Sequence, residues 1–153
     1  MNRRNILTFA AALLSTCLTV PAFAEKGTKA DAEAMVASAI AHIKAVGAEK
    51  AYNDFTNGTE FKKGDLYVIV YDLTGKNLAH GANPKLVGKD LIGLKDPDGK
   101  LLNKILVDLA KEKGKGWSEE FKFRNPTTGD LQRRIVYVQR VGETFVGCGV
   151  FLS

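Results

Sequence analysis

The segment Leu66–Asp72, with the sequence LYVIVYD, restricts the fold of this chain more than any other feature. It is rich in β-branched and aromatic residues, which favour a β-strand. Successive side chains of a strand point to opposite faces of the sheet. Here Leu66, Val68 and Val70 alternate with Tyr67, Ile69 and Tyr71. Because both faces are apolar, the sequence predicts a strand that is covered on both sides.

Three segments have the periodicity of amphipathic helices. In Thr28–Val46 the apolar residues recur at spacings of three and four, and Gly47 ends the pattern. Ala48–Phe55 is predicted to form a second, short helix. Residues 99–116 carry leucine and isoleucine at helical spacing and close with lysines and glycines, which predicts a third helix. Asp98 is predicted to lie at the N-terminus of that helix and to cap it.

The remaining segments read as strands joined by short turns. A second strand follows the turn at Thr74–Lys76, and three more are predicted at 117–124, 131–141 and 144–153. Short hairpin connections make such strands antiparallel neighbours. The element order therefore predicts an α+β domain with a five-stranded antiparallel sheet. In the strand at 117–124, Trp117, Phe121 and Phe123 are predicted to share one face.

The first 24 residues have the pattern of a secretory signal peptide. Basic residues at Arg3 and Arg4 precede an apolar run, and small residues at Ala22 and Ala24 suit cleavage after Ala24. The run is shorter than the roughly 20 residues of a spanning helix. We therefore expect residues 25–153 to form one exported, periplasmic domain. Its net charge of about +3, from 20 basic and 17 acidic side chains, does not indicate a nucleic-acid partner.

The segments that carry chemistry resemble a known family. The chain contains LAHGANP at 78–84, GW at 116–117, NPTTG at 125–129 and VGCGVF at 146–151, in that order. In this combination the sequence closely resembles single Cache domains, which are extracytoplasmic sensors. The resemblance implies a PAS-like sheet, a long N-terminal helix packed along it, and a small-molecule pocket between the sheet and a helix-bearing insertion. Family members commonly bind small organic acids.

The resemblance also suggests which residues line the pocket. Trp117 and Tyr137 are candidates through their N–H and O–H groups. The family places a basic residue three positions before the strand tyrosine, which is Arg134 here. A guanidinium suits a carboxylate, although Arg134 is also open to a solvent-exposed reading. Phe121 stands where the family often has a tyrosine, and Phe123 where it often has a tryptophan.

The insertion contributes two further candidates. His80 either donates a hydrogen bond to an anionic ligand or has a structural role, in which its side chain bonds to the loop backbone and holds the HGANP turn. Lys95, in the segment GLKD, is a weaker candidate for the same pocket.

Other kinds of site have little support. The two histidines, His42 and His80, are far apart and no paired cysteines accompany them, so no metal site is predicted. The sequence lacks the phosphate-binding glycine loop, serine elbow and Cys–His pairing of enzymes. We therefore expect that the protein is not an enzyme and needs no cofactor. Cys148 lies in an apolar run and is predicted to be a buried small hydrophobe rather than a nucleophile.

These observations predict a periplasmic module that binds a small organic acid. Because no signalling region follows Ser153, we expect this module either to present its ligand-bound form to a membrane signalling protein or to buffer the metabolite. Its long first helix also permits a homodimer. The alternative is a structural or interaction domain in which Phe121 and Phe123 fill a degenerate pocket.

Overall fold

The computed structural model describes residues 26–152, which form three α-helices and an antiparallel sheet of seven strands. In chain order the elements are α1 (Lys29–Val46), α2 (Ala48–Asn57), β1 (Lys62–Lys63), β2 (Leu66–Asp72), β3 (Asn77–His80), α3 (Leu102–Lys113), β4 (Lys115–Trp117), β5 (Phe121–Arg124), β6 (Leu131–Val141) and β7 (Thr144–Phe151). A short 3-10 turn, Pro84–Leu86, lies in the insertion between β3 and α3. The predicted signal peptide, residues 1–24, lies outside the described residues.

The seven strands occupy five columns of the sheet. The long hairpin of β6 and β7 stands at the centre, and β2 pairs with the other side of β7. β1 and β3 pair with successive parts of β2, while β4 and β5 pair with successive parts of β6. The predicted α+β class is confirmed, and the five predicted strands correspond to these five columns.

The strand predicted at 117–124 is interrupted in the structure. Ser118–Glu120 separates β4 from β5, and Ser118 bonds to β6 in a different way from a ladder residue. Its N–H donates to the Val136 carbonyl at 2.9 Å, and its Oγ accepts from the Val136 N–H at 3.0 Å. Such an irregularity changes the alternation of side chains. As a result, Trp117 and Phe121 lie on opposite faces of the sheet.

Helices α1 and α2 cover one face of the sheet. Thr28 begins α1 with a capping box, in which the Asp31 N–H donates to Thr28 Oγ1 at 3.1 Å and the Thr28 N–H donates to Asp31 Oδ2 at 3.0 Å. Gly47 joins the two helices with a φ of 88°, a backbone conformation that favours glycine. Val36, Ala39 and Ile40 are buried against the apolar side chains of β2 and β7.

The insertion and α3 cover the opposite face. The first half of the insertion is held to the β2–β3 hairpin by backbone hydrogen bonds. These include the bond from the Asn77 N–H to the Lys89 carbonyl, at 2.9 Å, and the bond from the Leu91 N–H to the Gly75 carbonyl, at 3.0 Å. All six residues Leu66–Tyr71 of β2 are buried, which confirms that this strand is covered on both sides. The prediction that Asp98 caps α3 is wrong, because the helix begins at Leu102 without a side-chain cap.

Among residues 26–152, none of the helices is long and apolar enough to cross a membrane.

The packing of α1 on the sheet leads to a stability prediction. Ile40 is 7% exposed, whereas Val46 on the same helix is 36% exposed. Ile40→Ala should lower the free energy of unfolding by about 2–5 kcal/mol, since it leaves a cavity in the core. Val46→Ala should change it by less than about 0.5 kcal/mol. Urea denaturation measures both, and equal effects would contradict the described helix orientation.

Candidate functional site

A small cavity lies between the sheet and the insertion. Its volume is about 30 Å³, far below the roughly 300–1,000 Å³ of most small-molecule pockets. The lining comes from β2, β3, the insertion, α3, β5 and β6. The lining residues are Ile69, Tyr71, His80, Leu86, Leu94, Leu102, Asn103, Leu106, Phe121, Phe123, Arg134 and Val136. Most of them are apolar, and their only permanent charge is the guanidinium of Arg134.

The position of Arg134 follows from the register of the sheet. On β6 it lies opposite Phe121 of β5 and Phe151 of β7, so the three residues form a row across the insertion-side face. Its neighbour Arg133 points the other way, with its side chain 54% exposed and its Nη1 3.5 Å from Glu120 Oε2. Arg134 itself is 3% exposed. The expectation that only one of the two arginines faces inward is therefore met by Arg134.

Gly149 on β7 makes room for the Arg134 side chain. A Cβ atom added at Gly149 would lie 2.1 Å from Arg134 Nε and 2.5 Å from Cζ. Real Cβ atoms do not approach other atoms so closely. The guanidinium therefore lies directly over the backbone of β7, and only glycine leaves space for it there.

The Arg134 guanidinium is surrounded by aromatic rings rather than by carboxylates. Its Cζ is 4.8 Å from the ring centroid of Tyr67, 5.1 Å from Phe123 and 5.0 Å from Phe151. Among residues 26–152, its Nε and Nη2 have no hydrogen-bond partner, and neither does the Tyr67 hydroxyl. Cation–π contacts compensate part of the cost of burying the charge. Two strong donors remain without an acceptor.

His80 reaches the cavity from the end of β3. Its Nδ1 accepts hydrogen bonds from the backbone N–H groups of Ala82, at 3.3 Å, and Asn83, at 3.0 Å. The structural role proposed for His80 in the HGANP turn is thus present. Burial and then the positive charge of Arg134 lower the pKa of His80 to about 4. The neutral ring must carry its proton on Nε2, because Nδ1 is an acceptor.

Polar side chains also stand at the other side of the cavity. Asn103 of α3 donates from Nδ2 to the Leu91 carbonyl at 2.9 Å, which ties the helix to the insertion. Tyr71 lies nearby, and burial raises the pKa of its hydroxyl to about 12. Both groups are neutral at ordinary pH. They add hydrogen-bonding capacity without adding charge.

The structure brings three of the six predicted site residues to this cavity: His80, Phe121 and Arg134. The prediction that Trp117 shares a face with Phe121 and Phe123 is wrong. Trp117 and Tyr137 are paired across β4 and β6, with ring centroids 5.5 Å apart, and pack on the helix-covered face. The indole Nε1–H donates to Glu33 Oε1 of α1 at 2.7 Å.

Lys95 also stays outside the cavity lining. It is exposed and forms an isolated backbone bridge with Leu101 at the base of a tight turn. The residues on either side of this bridge, Leu94 and Leu102, line the cavity instead.

Several lining residues are not among those predicted from the sequence. Tyr71 lies on the same strand face as Ile69, and Asn103 is a polar residue on the buried side of α3. A polar group inside an apolar helical stripe was the available signal for Asn103. The sequence also indicates that Tyr137 and Arg134 face opposite sides of the sheet. They are three residues apart on one strand, and an odd spacing places two side chains on opposite faces.

Two other features have no part in this site. A wider open groove of about 450 Å³ runs between α2 and the Pro84–Val87 segment, and no basic side chain lines it. Cys148 is fully buried on the helix-covered face, and burial raises the pKa of its thiol to about 11. Within the part of the chain that the structure describes, no three His, Cys, Asp or Glu side chains are grouped as metal ligands.

Proteins of similar sequence are sensors. The family model described as Single Cache domain 2 matches residues 22–153. The sensor histidine kinase MctS of Rhizobium johnstonii is 32% identical over 92 residues, which cover 58% of this chain and 19% of that protein. The chain spans less than a fifth of the length of the curated relatives it matches.

Solved structures of similar fold come from chemoreceptors. A methyl-accepting chemotaxis protein from Vibrio parahaemolyticus has a TM-score of 0.68 and 23% identity, covering 80% of this chain and 87% of that one. A Cache chemosensory domain described for carboxylic acid recognition has a TM-score of 0.62 and 24% identity, covering 79% and 86%. These two likenesses show the fold.

The family match extends over all of the described residues, 26–152, and the sheet, long first helix and insertion agree with it. The resemblance noted in the sequence is confirmed: the chain belongs to the Single Cache domain 2 family, whose members are extracytoplasmic, non-enzymatic sensing modules of chemoreceptors and sensor kinases.

Proposed function

We propose that this domain senses a short carboxylate, which binds in the insertion-side cavity with its negative charge on Arg134. One observation carries the proposal: a guanidinium that is 3% exposed has two donor atoms without an acceptor. Burying an unpaired charge is costly, and buried charges in proteins are normally paired. A carboxylate would supply the missing charge and accept hydrogen bonds from the guanidinium, once the edge that carries Nε and Nη2 turns away from Gly149.

The rest of the cavity supports a small, singly charged acid. The lining contains no carboxylate that would compete for Arg134, and its leucine, isoleucine, valine and phenylalanine side chains suit a short alkyl group. The described volume of about 30 Å³ is small for a ligand pocket. We therefore propose that side chains such as Phe123 or Leu94 move when an acid enters, and that the cavity favours short acids over long ones.

Neutral His80 complements the arginine. Because its Nδ1 is occupied by the turn, Nε2–H is the donor that the ring can offer to a ligand oxygen. A neutral donor adds directionality without a second positive charge in the cavity. We therefore propose that His80 orients the carboxylate that Arg134 attracts, while Phe121 shapes the apolar wall.

The small cavity favours one competing function, in which the domain has an interaction role and the pocket is filled by its own side chains. Phe121 is 4% exposed and Phe123 is partly buried against the same cluster. Under this second proposal Arg134 would be held by aromatic contacts alone. Ligand screening separates the two functions.

The cellular setting is also proposed. The family is extracytoplasmic, and the signal-peptide pattern of residues 1–24 supports export to the periplasm with cleavage after Ala24. Mass measurement of the exported protein tests that cleavage. The sensor relatives support a membrane signalling protein as partner, and the length of α1 supports a homodimer along this helix, which analytical ultracentrifugation tests.

The binding proposal predicts a selective thermal shift. Acetate, propionate and butyrate should be screened, with ethylamine as the cationic control. At 100 times its dissociation constant a bound acid should stabilise the fold by about 2.7 kcal/mol, and ethylamine should give no shift because Arg134 repels it. A panel without any shift would favour the filled-pocket function.

Removing the charge should separate binding from stability. Arg134→Met should abolish the carboxylate shift, while the ligand-free protein should unfold at the same or a higher denaturant concentration, because a buried unpaired charge is lost. The matched control is Arg133→Met, which alters the exposed neighbour on the same strand and should keep the shift. A carboxylate shift that survives in Arg134→Met would contradict the assigned site.

His80 should leave a signature in the pH dependence of stability. Its pKa is about 4 in the folded protein against 6.5 in an exposed histidine. As the pH falls from 6.5 towards 4, the unfolded chain takes up a proton that the folded protein excludes, so stability is lost; above about pH 7.5 there is no effect. This loss should reach about 3 kcal/mol at pH 4.

Comparison with His80→Asn isolates that contribution, since the carboxylates titrate in both proteins. The difference in unfolding free energy between the wild type and the variant should fall by about 3 kcal/mol between pH 7.5 and pH 4. Parallel curves over this range would show that His80 is not held neutral.

A further inference from the structure

The second half of the insertion is joined to strand β5 by the side chain of Asp96. This carboxylate is 7% exposed. Its Oδ1 accepts the N–H groups of Asp98 and Lys100, both at 2.9 Å, which closes the tight turn of the insertion. Its Oδ2 accepts the N–H of Lys122 in β5 at 3.0 Å. One buried side chain therefore bonds two separate elements.

The bond to Lys122 lies on the outer edge of β5. In the described sheet β5 pairs with β6 only, so the backbone N–H groups on its other side have no strand partner. Asp96 supplies an acceptor there. Hydrogen bonds to an ionised carboxylate are stronger than neutral ones, and this bond lowers the pKa of Asp96 more than any other contact does.

The Asp96–Lys122 contact, which we call the joint, lies between two parts of the cavity wall. Phe121 and Phe123, on either side of Lys122, both line the cavity, and so does Leu94, two residues before Asp96. The spacing of the insertion from β5 thus sets the distance between Leu94 and the two phenylalanines. Because the cavity is small, an increase in this spacing would widen it for a ligand that enters or leaves.

The surrounding ion pairs are weaker than the Asp96 bonds. Lys122 Nζ lies 3.0 Å from Asp98 Oδ2, and Lys100 Nζ lies 3.3 Å from Glu119 Oε2. All four side chains are 40–60% exposed. Exposed pairs contribute little to stability. Lys100 Nζ also donates to the Glu120 carbonyl, and Asp96 is the buried carboxylate that bonds the second half of the insertion directly to β5.

We propose that Asp96 is a positioning residue for ligand binding: it holds the insertion against β5, and opening of this joint controls entry to and release from the cavity. This inference rests on the proposed function of the cavity. Asp96 does not line the cavity itself, and it acts through Leu94, Phe121 and Phe123.

The test compares Asp96→Asn with Asp72→Asn. Asp72 makes a similar turn, since its Oδ1 accepts the N–H groups of Thr74 and Lys76, but every one of those bonds stays within its own hairpin. Lys122→Ala is a second control, because it removes the ion pair with Asp98 and keeps the backbone N–H. Folding of each variant is checked by its proton NMR spectrum. If Asp96→Asn does not fold, Asp96→Ser replaces it.

Hydrogen exchange of the ligand-free protein is the first readout. In Asp96→Asn the amides of residues 94–102 and 121–124 should exchange about 10- to 100-fold faster than in the wild type, which corresponds to one lost charge-assisted bond. Asp72→Asn and Lys122→Ala should leave these segments unchanged. Unchanged exchange in Asp96→Asn, or an equal increase in Asp72→Asn, would overturn the proposal.

Propionate release is the second readout, from NMR line shapes during titration. Release should accelerate in Asp96→Asn by a factor similar to that of the exchange and should not change in the controls. Faster exchange with unaltered release would overturn the gating role. If the wild type binds no acid of the panel, the proposed function fails on its own, and the exchange comparison then decides whether Asp96 holds the joint.

Discussion

The buried guanidinium of Arg134 is the constraint on which the rest of this site depends. Its charge is taken out of water by the sheet, yet the side chains around it are aromatic or neutral. Aromatic faces compensate a part of the desolvation cost and leave the donors Nε and Nη2 unsatisfied. Binding of an anion to such a charge would stabilise the folded protein, and the proposed sensing function depends on this linkage.

The fold divides its two sheet faces between different tasks. On one face α1 and α2 form a dry core with β2, β6 and β7, and Trp117 connects that face to α1 through Glu33. On the other face the insertion and α3 enclose Arg134 and His80. The strand β2 contributes side chains to both faces, so a small domain has an apolar core on one side of this strand and the cavity on the other.

Much of this arrangement could be predicted from the sequence because it depends on local patterns. Alternation in β2, helical spacing in α1 and the short hairpins are enough for the α+β class and the order of elements. The sequence alone does not determine that Arg134 faces inward, because a strand residue can point to either face and its neighbour Arg133 has the same chemistry. The space beside it depends on Gly149, which comes from another strand.

The errors have physical causes as well. A strand interrupted at Ser118 changes the alternation, and no propensity in the segment WSEE marks the change; Trp117 was therefore placed on the wrong face. The role of Asp96 depends on a contact 26 residues away, with Lys122, and is visible only when the insertion is folded onto β5. Long-range contacts of this kind determine the cavity, whereas local patterns determine the frame around it.

A crystal structure of the protein grown with saturating acetate tests the central claim most directly. The account predicts a carboxylate whose oxygen atoms lie within hydrogen-bond distance of the Arg134 guanidinium, with Arg134 turned away from Gly149 and Phe123 or the insertion displaced to admit it. Acetate bound elsewhere, or an unoccupied guanidinium still enclosed by Tyr67, Phe123 and Phe151 at saturation, would contradict it.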